Sequence, residues 1–271
     1  MNDKTISLNE LKQLQLDILV KVHDFCEKNK IDYFLSYGTL IGAIRHKGYI
    51  PWDDDIDIEM TRPNYDRFIT TFNGAYPELE VFAPELNESY YAPYANVCDN
   101  RTILEEKGIN HNGCHLGIKI DIFPIDGLPS DANLYKRMYK KARLYNSLLV
   151  YNQRMFSQCL HGNLFHQLKH CLKWVIARII PHSLIQKWIY NLSTSYDYKT
   201  APKAGLIAFT PIKQPIDKCC FEHYIKVEFE GKFFYTIRDY DLYLRHIYGD
   251  YLKLPPIEER IPHHNFYATW K

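Results

Sequence analysis

Apolar positions open the chain with a helical rhythm. Leu11, Leu14, Ile18, Val22 and Phe25 follow one another in steps of three and four, and Ser7 stands three residues before Glu10, which is capping-box spacing. A capped amphipathic helix of about 20 residues follows from that pattern. Ile31 to Tyr37, with Tyr33, Phe34 and Leu35, is rich in strand formers and reads as a strand, ending in a tight turn at Gly38-Thr39 and a short helix from Leu40 to Arg45. Beyond a loop with Gly48 and Pro51 the period changes to two. Asp55-Ile56-Asp57-Ile58-Glu59-Met60 alternates acid and apolar, as a half-buried strand does, and puts its acids on one face.

Pro63 is placed to start another helix, with Tyr65, Phe68, Ile69 and Phe72 on its buried side. Strands are expected at Leu79 to Phe82, Ala92 to Val97, Ile103 to Glu106 and Ile118 to Phe123, the last stopped by Pro124 and the turn-like Asp126-Gly127-Leu128-Pro129. From Asp131 to about Tyr196 the pattern is helical, broken at Pro181 and rich in Lys, Arg, His and Trp. Leu168, Leu172, Trp174, Val175 and Ile179 form an apolar side there. Packing of that side on the sheet is favoured over its alternative, peripheral contact with the inner face of a membrane. An α+β stretch with Val227 to Phe234 and a Tyr-rich helix from Asp239 to Tyr248 leads to a Pro-rich tail ending in His263-His264. The expected fold is α/β (α+β), a mixed sheet flanked by helices: a catalytic core over 1–130, a helical subdomain over 131–200, and a segment over 201–271 that completes the core.

Charge and cysteine usage remove several classes of function. The chain of 271 residues has 33 basic and 32 acidic residues, a net +1, so no overall field favours nucleic acid and any phosphate recognition must be local. Seven scattered cysteines without a C-x-x-C pair read as reduced thiols rather than a disulfide framework or a Cys-rich zinc site. Met1 to Glu10 is polar, and no apolar run approaches the ~18 residues of a spanning helix. A cytoplasmic protein is expected.

The acidic strand carries the candidate chemistry. Two residues apart on a strand, Asp55 and Asp57 leave the same face roughly 6.5 to 7 Å apart at their Cα atoms, close enough to share one hard cation. Mg²⁺ (or Mn²⁺) suits such a site, since it takes one or two protein carboxylates and leaves positions for substrate phosphates. Asp121, between Ile120 and Ile122, joins as a third carboxylate if its strand is a neighbour. In Asp53-Asp54-Asp55-x-Asp57, crowded carboxylates repel one another unless a cation or arginines neutralise them. Upstream, Gly38 lets backbone N–H groups approach a phosphate, Thr39 opens the helix, and Arg45, His46 and Lys47 add positive charge.

The stretch Ser36 to Asp57, SYGTLIGAIRHKGYIPWDDDID, resembles the signature of the LicD/fukutin family. Similarity continues in Ile120 to Pro129, IDIFPIDGLP, and in Tyr248-Gly249-Asp250-Tyr251 with Leu254-Pro255-Pro256, so it spans nearly the whole chain and is weakest over about 131–200. The resemblance implies a nucleotidyltransferase-like fold in which Gly38 and Thr39 match the glycine turn, Asp55 and Asp57 the metal ligands, and Asp121 the third acid. It also implies a metal-dependent transfer of a phospho-alcohol, with phosphocholine as the leading choice, from a CDP-alcohol donor such as CDP-choline. The implied acceptor is a glycan or lipid-linked oligosaccharide such as lipopolysaccharide or teichoic acid. Mg²⁺ on Asp55 and Asp57 would bridge the donor pyrophosphate, Gly38, Thr39 and Arg45 would hold its oxygens, and Asp121 would serve as base or further ligand. The animal relatives' long membrane anchor has no counterpart here.

Other signals weigh less. His166 and His170, four apart with His161 nearby, have zinc-compatible spacing, but no Glu follows the first histidine and the surroundings are basic. His263-His264 reads as a solvated tail or a phosphate contact. Tyr90, Tyr91, Tyr94 and Trp52 offer rings for a quaternary ammonium, or for sheet packing. Transfer of NMP and a nucleotide- or glycan-binding pseudoenzyme are the alternative functions.

Overall fold

The computed structural model describes residues 5–106, 114, 116–160, 162–261 and 266–271. His161 and His263-His264 lie outside the described residues.

Helix α1 (Leu8–Asn29) forms where the pattern placed it: Ser7 Oγ accepts from Glu10 N–H at 3.3 Å, and Leu11, Leu14, Ile18, Val22 and Phe25 are buried. Glu10 does not reach back to complete the box; its Oε1 takes the Trp270 indole N–H at 3.0 Å. The strand expected over Ile31 to Tyr37 shrinks to β1 (Phe34–Leu35), and the helix α2 (Tyr37–His46) begins earlier than its apolar pattern suggested. Gly38 and Thr39 therefore lie in the first turn of α2, not in a separate turn. Strand β2 (Asp57–Thr61) leads into α3 (Arg62–Thr71), with Pro63 in its first turn. Then come β3 (Leu79–Phe82), β4 (Ala95–Asp99), three residues later than expected, β5 (Thr102–Glu106) and the long β6 (Lys119–Leu128).

Pro124 does not stop β6. The Asp121 N–H donates to Ile56 O on the β2 side, so by strand alternation the nitrogen of residue 124 faces the other side. There, pairing with β4 has ended at Ile122 and pairing with β7 (Lys203–Gly205) starts at Asp126. The missing N–H falls in that gap and costs no ladder bond.

The main sheet runs β1-β2-β6-β4-β3, with β7 on the distal half of β6 and β8 (Ile216–Asp217) beside β7. Only β2 and β6 are parallel; the other pairs are antiparallel, giving a mixed sheet. One core joins α1, the sheet and α3 to the hairpin of β9 (Tyr224–Phe229) and β10 (Lys232–Ile237) and to α7 (Tyr240–Tyr248). The hairpin turns through Glu230 and Gly231, both at positive φ, as a two-residue connection matched to strand twist requires. Strand β11 (Phe266–Trp270) pairs with β5 in a separate ribbon.

Three helices follow β6: α4 (Ala132–Gln153), α5 (Leu164–Ile179) and α6 (His182–Ser193), with a short 3₁₀ turn at Phe156–Cys159 and Pro181 interrupting as expected. Ile185 and Ile189 of α6 enter the core. The apolar side of α5 does not pack on the sheet: Leu168, Leu172, Val175 and Ile179 are exposed, and Trp174 is half-buried. Burial in this region is supplied by α4 and α6. Among the described residues no helix is long and apolar enough to cross a membrane.

Candidate active site

Asp57 and Asp121 meet because β2 and β6 are parallel neighbours in a register that sets Asp57 opposite Asp121. Period two then keeps both carboxylates on one face of the sheet. The backbone around them is tied down by three bonds. Thr39 Oγ1 accepts from Asp57 N–H at 2.8 Å, Ser36 N–H donates to Asp57 O at 3.1 Å, and Asp121 N–H donates to Ile56 O at 2.9 Å. Asp55 lies in the loop before β2 rather than in the strand. The loop is anchored from below, where Gln15 of α1 donates to Asp54 O at 3.0 Å and to Lys119 O at 3.3 Å.

A cleft of about 710 Å³ opens over these residues, and Asp53, Asp55, Asp57 and Asp121 all line it. Asp53, Asp54 and Asp55 offer oxygens within 4.8 Å of one another, although Asp54 is buried beneath the cleft. Burial first, then the charges of Asp55, Asp121 and Asp53, hold the Asp57 carboxyl well above the ordinary range; Lys119 opposes them. The all-oxygen donor set suits Mg²⁺ or Mn²⁺ and matches poorly what zinc prefers.

The rim explains the glycine. A Cβ on Gly38 would stand 2.5 Å from Asp53 Oδ2, so a larger residue in the first turn of α2 would push that carboxylate aside. Tyr37, just before it, holds φ at 44°, a left-handed conformation that costs a non-glycine residue about 1–2 kcal/mol. Its ring packs edge-on to Phe123 at 5.5 Å, and its hydroxyl bonds the buried Glu59, which also accepts from Tyr243 at 2.8 Å. Burial pushes the Glu59 carboxyl up to about 7 against the pull of those two hydroxyls.

Of the residues expected at the site, the cleft brings together Gly38, Arg45, Asp55, Asp57 and Asp121. Thr39 sits under the site, holding Asp57, and His46 is exposed at the end of α2, away from the cleft lining. Arg45 donates from Nη1 to Tyr251 O at 2.9 Å, and its Nε is buried without a partner. Burial and the nearby Arg260 lower the pKa of the Arg45 guanidinium, and an anion beside it would oppose that shift. Trp52 and Tyr94 line the cleft while Tyr90 and Tyr91 do not, and Arg260 lies over the Trp52 ring at 5.4 Å. His166 and His170 engage Asn163 and Tyr151 rather than one another.

The structure adds three parts to the expected site. Lys119 donates to Asp121 Oδ1 at 2.9 Å; lying two residues from Asp121 on one strand, it was legible by period. Asn96 of β4, opposite Asp121 in register, donates to the same Oδ1 and accepts from Tyr90 OH. The tail residues Tyr248, Asp250, Tyr251 and Leu254-Pro255-Pro256 form the far wall. Burial, then Asp57 and Asp53, raise the Tyr248 phenol above its usual range. A second cleft of about 730 Å³ reaches Asp121 from the α4 side, lined by Lys119, Arg143, Asn146, Gln153 and Arg154, and shares Tyr94, Phe209 and Thr210 with the first.

Comparison with known proteins is decided by one full-length match. The chain is 34% identical over 269 residues to the lipopolysaccharide cholinephosphotransferase LicD of Haemophilus influenzae, covering 96% of this chain and 97% of that protein. The chain belongs to the LicD/FKTN/FKRP family. The family's nucleotidyltransferase domain matches residues 30–140, the segment from the end of α1 to the first half of α4 that carries Asp53, Asp55, Asp57 and Asp121. An uncharacterized protein of Rickettsia prowazekii is 46% identical over 206 residues, covering 74% of this chain and 71% of its own. The mixed sheet is thus that of a nucleotidyltransferase-like domain, in a family of LicD-type transferases. The tail that walls the cleft lies outside the matched segment and inside the full-length match.

Proposed function

We propose that this LicD-family chain is a metal-dependent transferase that moves a phospho-alcohol, phosphocholine first among them, from a CDP-alcohol to a hydroxyl of a cell-surface glycan. The observation that carries this reading is the convergence of Asp53, Asp55, Asp57 and Asp121 in one cleft that Arg45 also lines. Asp55 and Asp57, with Asp53 or Asp121, would hold Mg²⁺, which when bound neutralises phosphate charge and orients the pyrophosphate. The name of the Haemophilus protein supports choline as the alcohol and lipopolysaccharide as the acceptor. Trp52, whose ring takes the Arg260 guanidinium at 5.4 Å, supports a cation-accepting aromatic face in this cleft.

The residues divide the work. Arg45, with a buried donor unused, binds a donor phosphate oxygen and steadies the leaving CMP. The acceptor sugar enters by the second cleft, where amides and arginines can bond hydroxyls and phosphates. Lys119 and Asn96 both occupy Oδ1 of Asp121, so Oδ2 is the oxygen that meets the acceptor hydroxyl. As the acceptor oxygen bonds the distal phosphorus, the bond from phosphorus to the CMP oxygen breaks, and the hydroxyl proton passes to Asp121.

Incubation with CDP-choline, CDP-ethanolamine, CDP-glycerol and CDP-ribitol, with and without deacylated lipopolysaccharide, tests this. Acceptor-dependent CMP release and a glycan heavier by the phospho-alcohol are expected. Pyrophosphate released from CTP, with a cytidylylated product, would replace this reading by NMP transfer.

A further inference from the structure

Helix α5 is turned inside out. Leu164, Leu168, Leu172, Val175 and Ile179 succeed one another in steps of three and four, so they share one side, and on that side they are 46% to 76% exposed. Phe165 and Ile176 widen the stripe, and Met155, Phe156 and Leu160 in the preceding turn add to it. The side that meets the protein is the less apolar one. Trp174 donates its indole N–H to Arg154 O at 2.8 Å, His170 bonds the Tyr151 hydroxyl, and Ala177 is the residue of α5 that is fully buried. A soluble surface helix has the opposite arrangement. A contiguous apolar stripe of this kind marks an interaction surface.

Charge identifies what covers it. Residues 132–196 hold ten Lys and Arg and no Asp or Glu, while the rest of the chain holds 23 and 32. Lys169, next to Leu168, and Arg178, next to Ile179, border the stripe, while Lys173 lies over the Tyr151 ring at 5.3 Å on the side that meets the protein. Two copies joined through α5 would set these unbalanced charges face to face. A bilayer with anionic headgroups uses both features at once: the stripe enters the acyl boundary and Lys169 and Arg178 reach the headgroups. With 16 residues, α5 spans about 24 Å, short of the roughly 30 Å of hydrocarbon, so it lies in the interface rather than crossing it.

We infer that α5 docks the protein on an anionic lipid surface. Helix α4, against which α5 packs, also lines the second cleft, so docking sets the cleft close to the lipid. The inference goes beyond the transfer reaction and holds whatever ligand the active site takes.

Sedimentation of the full chain with phosphatidylglycerol-containing vesicles, against vesicles of phosphatidylcholine alone, tests it. Binding to the anionic vesicles is expected to fall more than tenfold in Leu168→Gln/Leu172→Gln, and about fivefold for each charge lost in Lys169→Gln/Arg178→Gln. Both variants should keep the melting temperature and the CMP release of the parent with a water-soluble acceptor, which separates docking from catalysis. Unchanged vesicle binding in either variant overturns the inference, as does equal binding to both vesicle types. Dimers by light scattering that the leucine variant dissolves, without vesicle binding, would assign the stripe to a second copy.

Discussion

The cleft region and the α4–α6 region invert each other's rules. Around the cleft, apolar side chains are buried and acids are concentrated, four of them on one cavity wall. In the helical region acids are absent and, on α5, the apolar side chains face outward. A charge of +1 for the whole chain conceals this division. Average composition describes neither part, and the two excesses call for different ligands: a cation and its phosphates in one case, an anionic surface in the other.

The contrast can be broken most forcefully at its acidic pole. Asp57→Asn should lower turnover by about a thousandfold or more, since it removes a ligand at the reacting phosphates. The same change relieves a carboxyl held protonation-prone by burial and by three neighbouring acids, so the melting temperature should not fall. Chelation with EDTA should reproduce the kinetic loss, and added Mg²⁺ should reverse it. Arg62→Met tests the second largest effect. Arg62 pairs Asp126 through two bonds, at 2.7 and 3.2 Å, and reaches Glu85 at 3.2 Å. Stranding those acids should cost about 3–5 kcal/mol in chemical denaturation.

Smaller effects sharpen the picture. Asn96→Ala deprives Asp121 of one donor and Tyr90 of its acceptor; it should lower kcat about tenfold with little change in KM, and stability by about 1–3 kcal/mol. At the opposite pole, Leu168→Ala should change stability by less than about 0.5 kcal/mol, because the side chain is 63% exposed. A loss of 2 kcal/mol there would mean that α5 is a core helix after all.

What could be read from the residues was what short-range physics decides. The cap and period of α1 are local, and so is the acid pair at Asp55 and Asp57. The meeting of Asp57 with Asp121 was legible because both stood in acid-apolar alternation, but Asn96 gave no sign, since its role depends on which strand lies beside β6. Pro124 misled as a stop because a proline's cost depends on the neighbour its nitrogen faces, which only the sheet order reveals. Period also tells which residues of α5 share a side, not whether that side meets the core, and the charge imbalance was the missing clue.

The Arg45 bond to Tyr251 joins residues 206 positions apart, and Asp57 meets Asp121 only when β2 and β6 pair. During synthesis, then, the chain carries its acidic cluster long before it owns an enclosed cleft. The wall supplied by Tyr248 to Pro256 is made well after Asp121, the last of the four clustered aspartates. Contacts of such long separation form late in folding, because the loop they close must first be ordered. A chain shortened before Tyr248 keeps the four aspartates and loses the carbonyl that orients Arg45, so it should still bind Mn²⁺ yet release no CMP from CDP-choline.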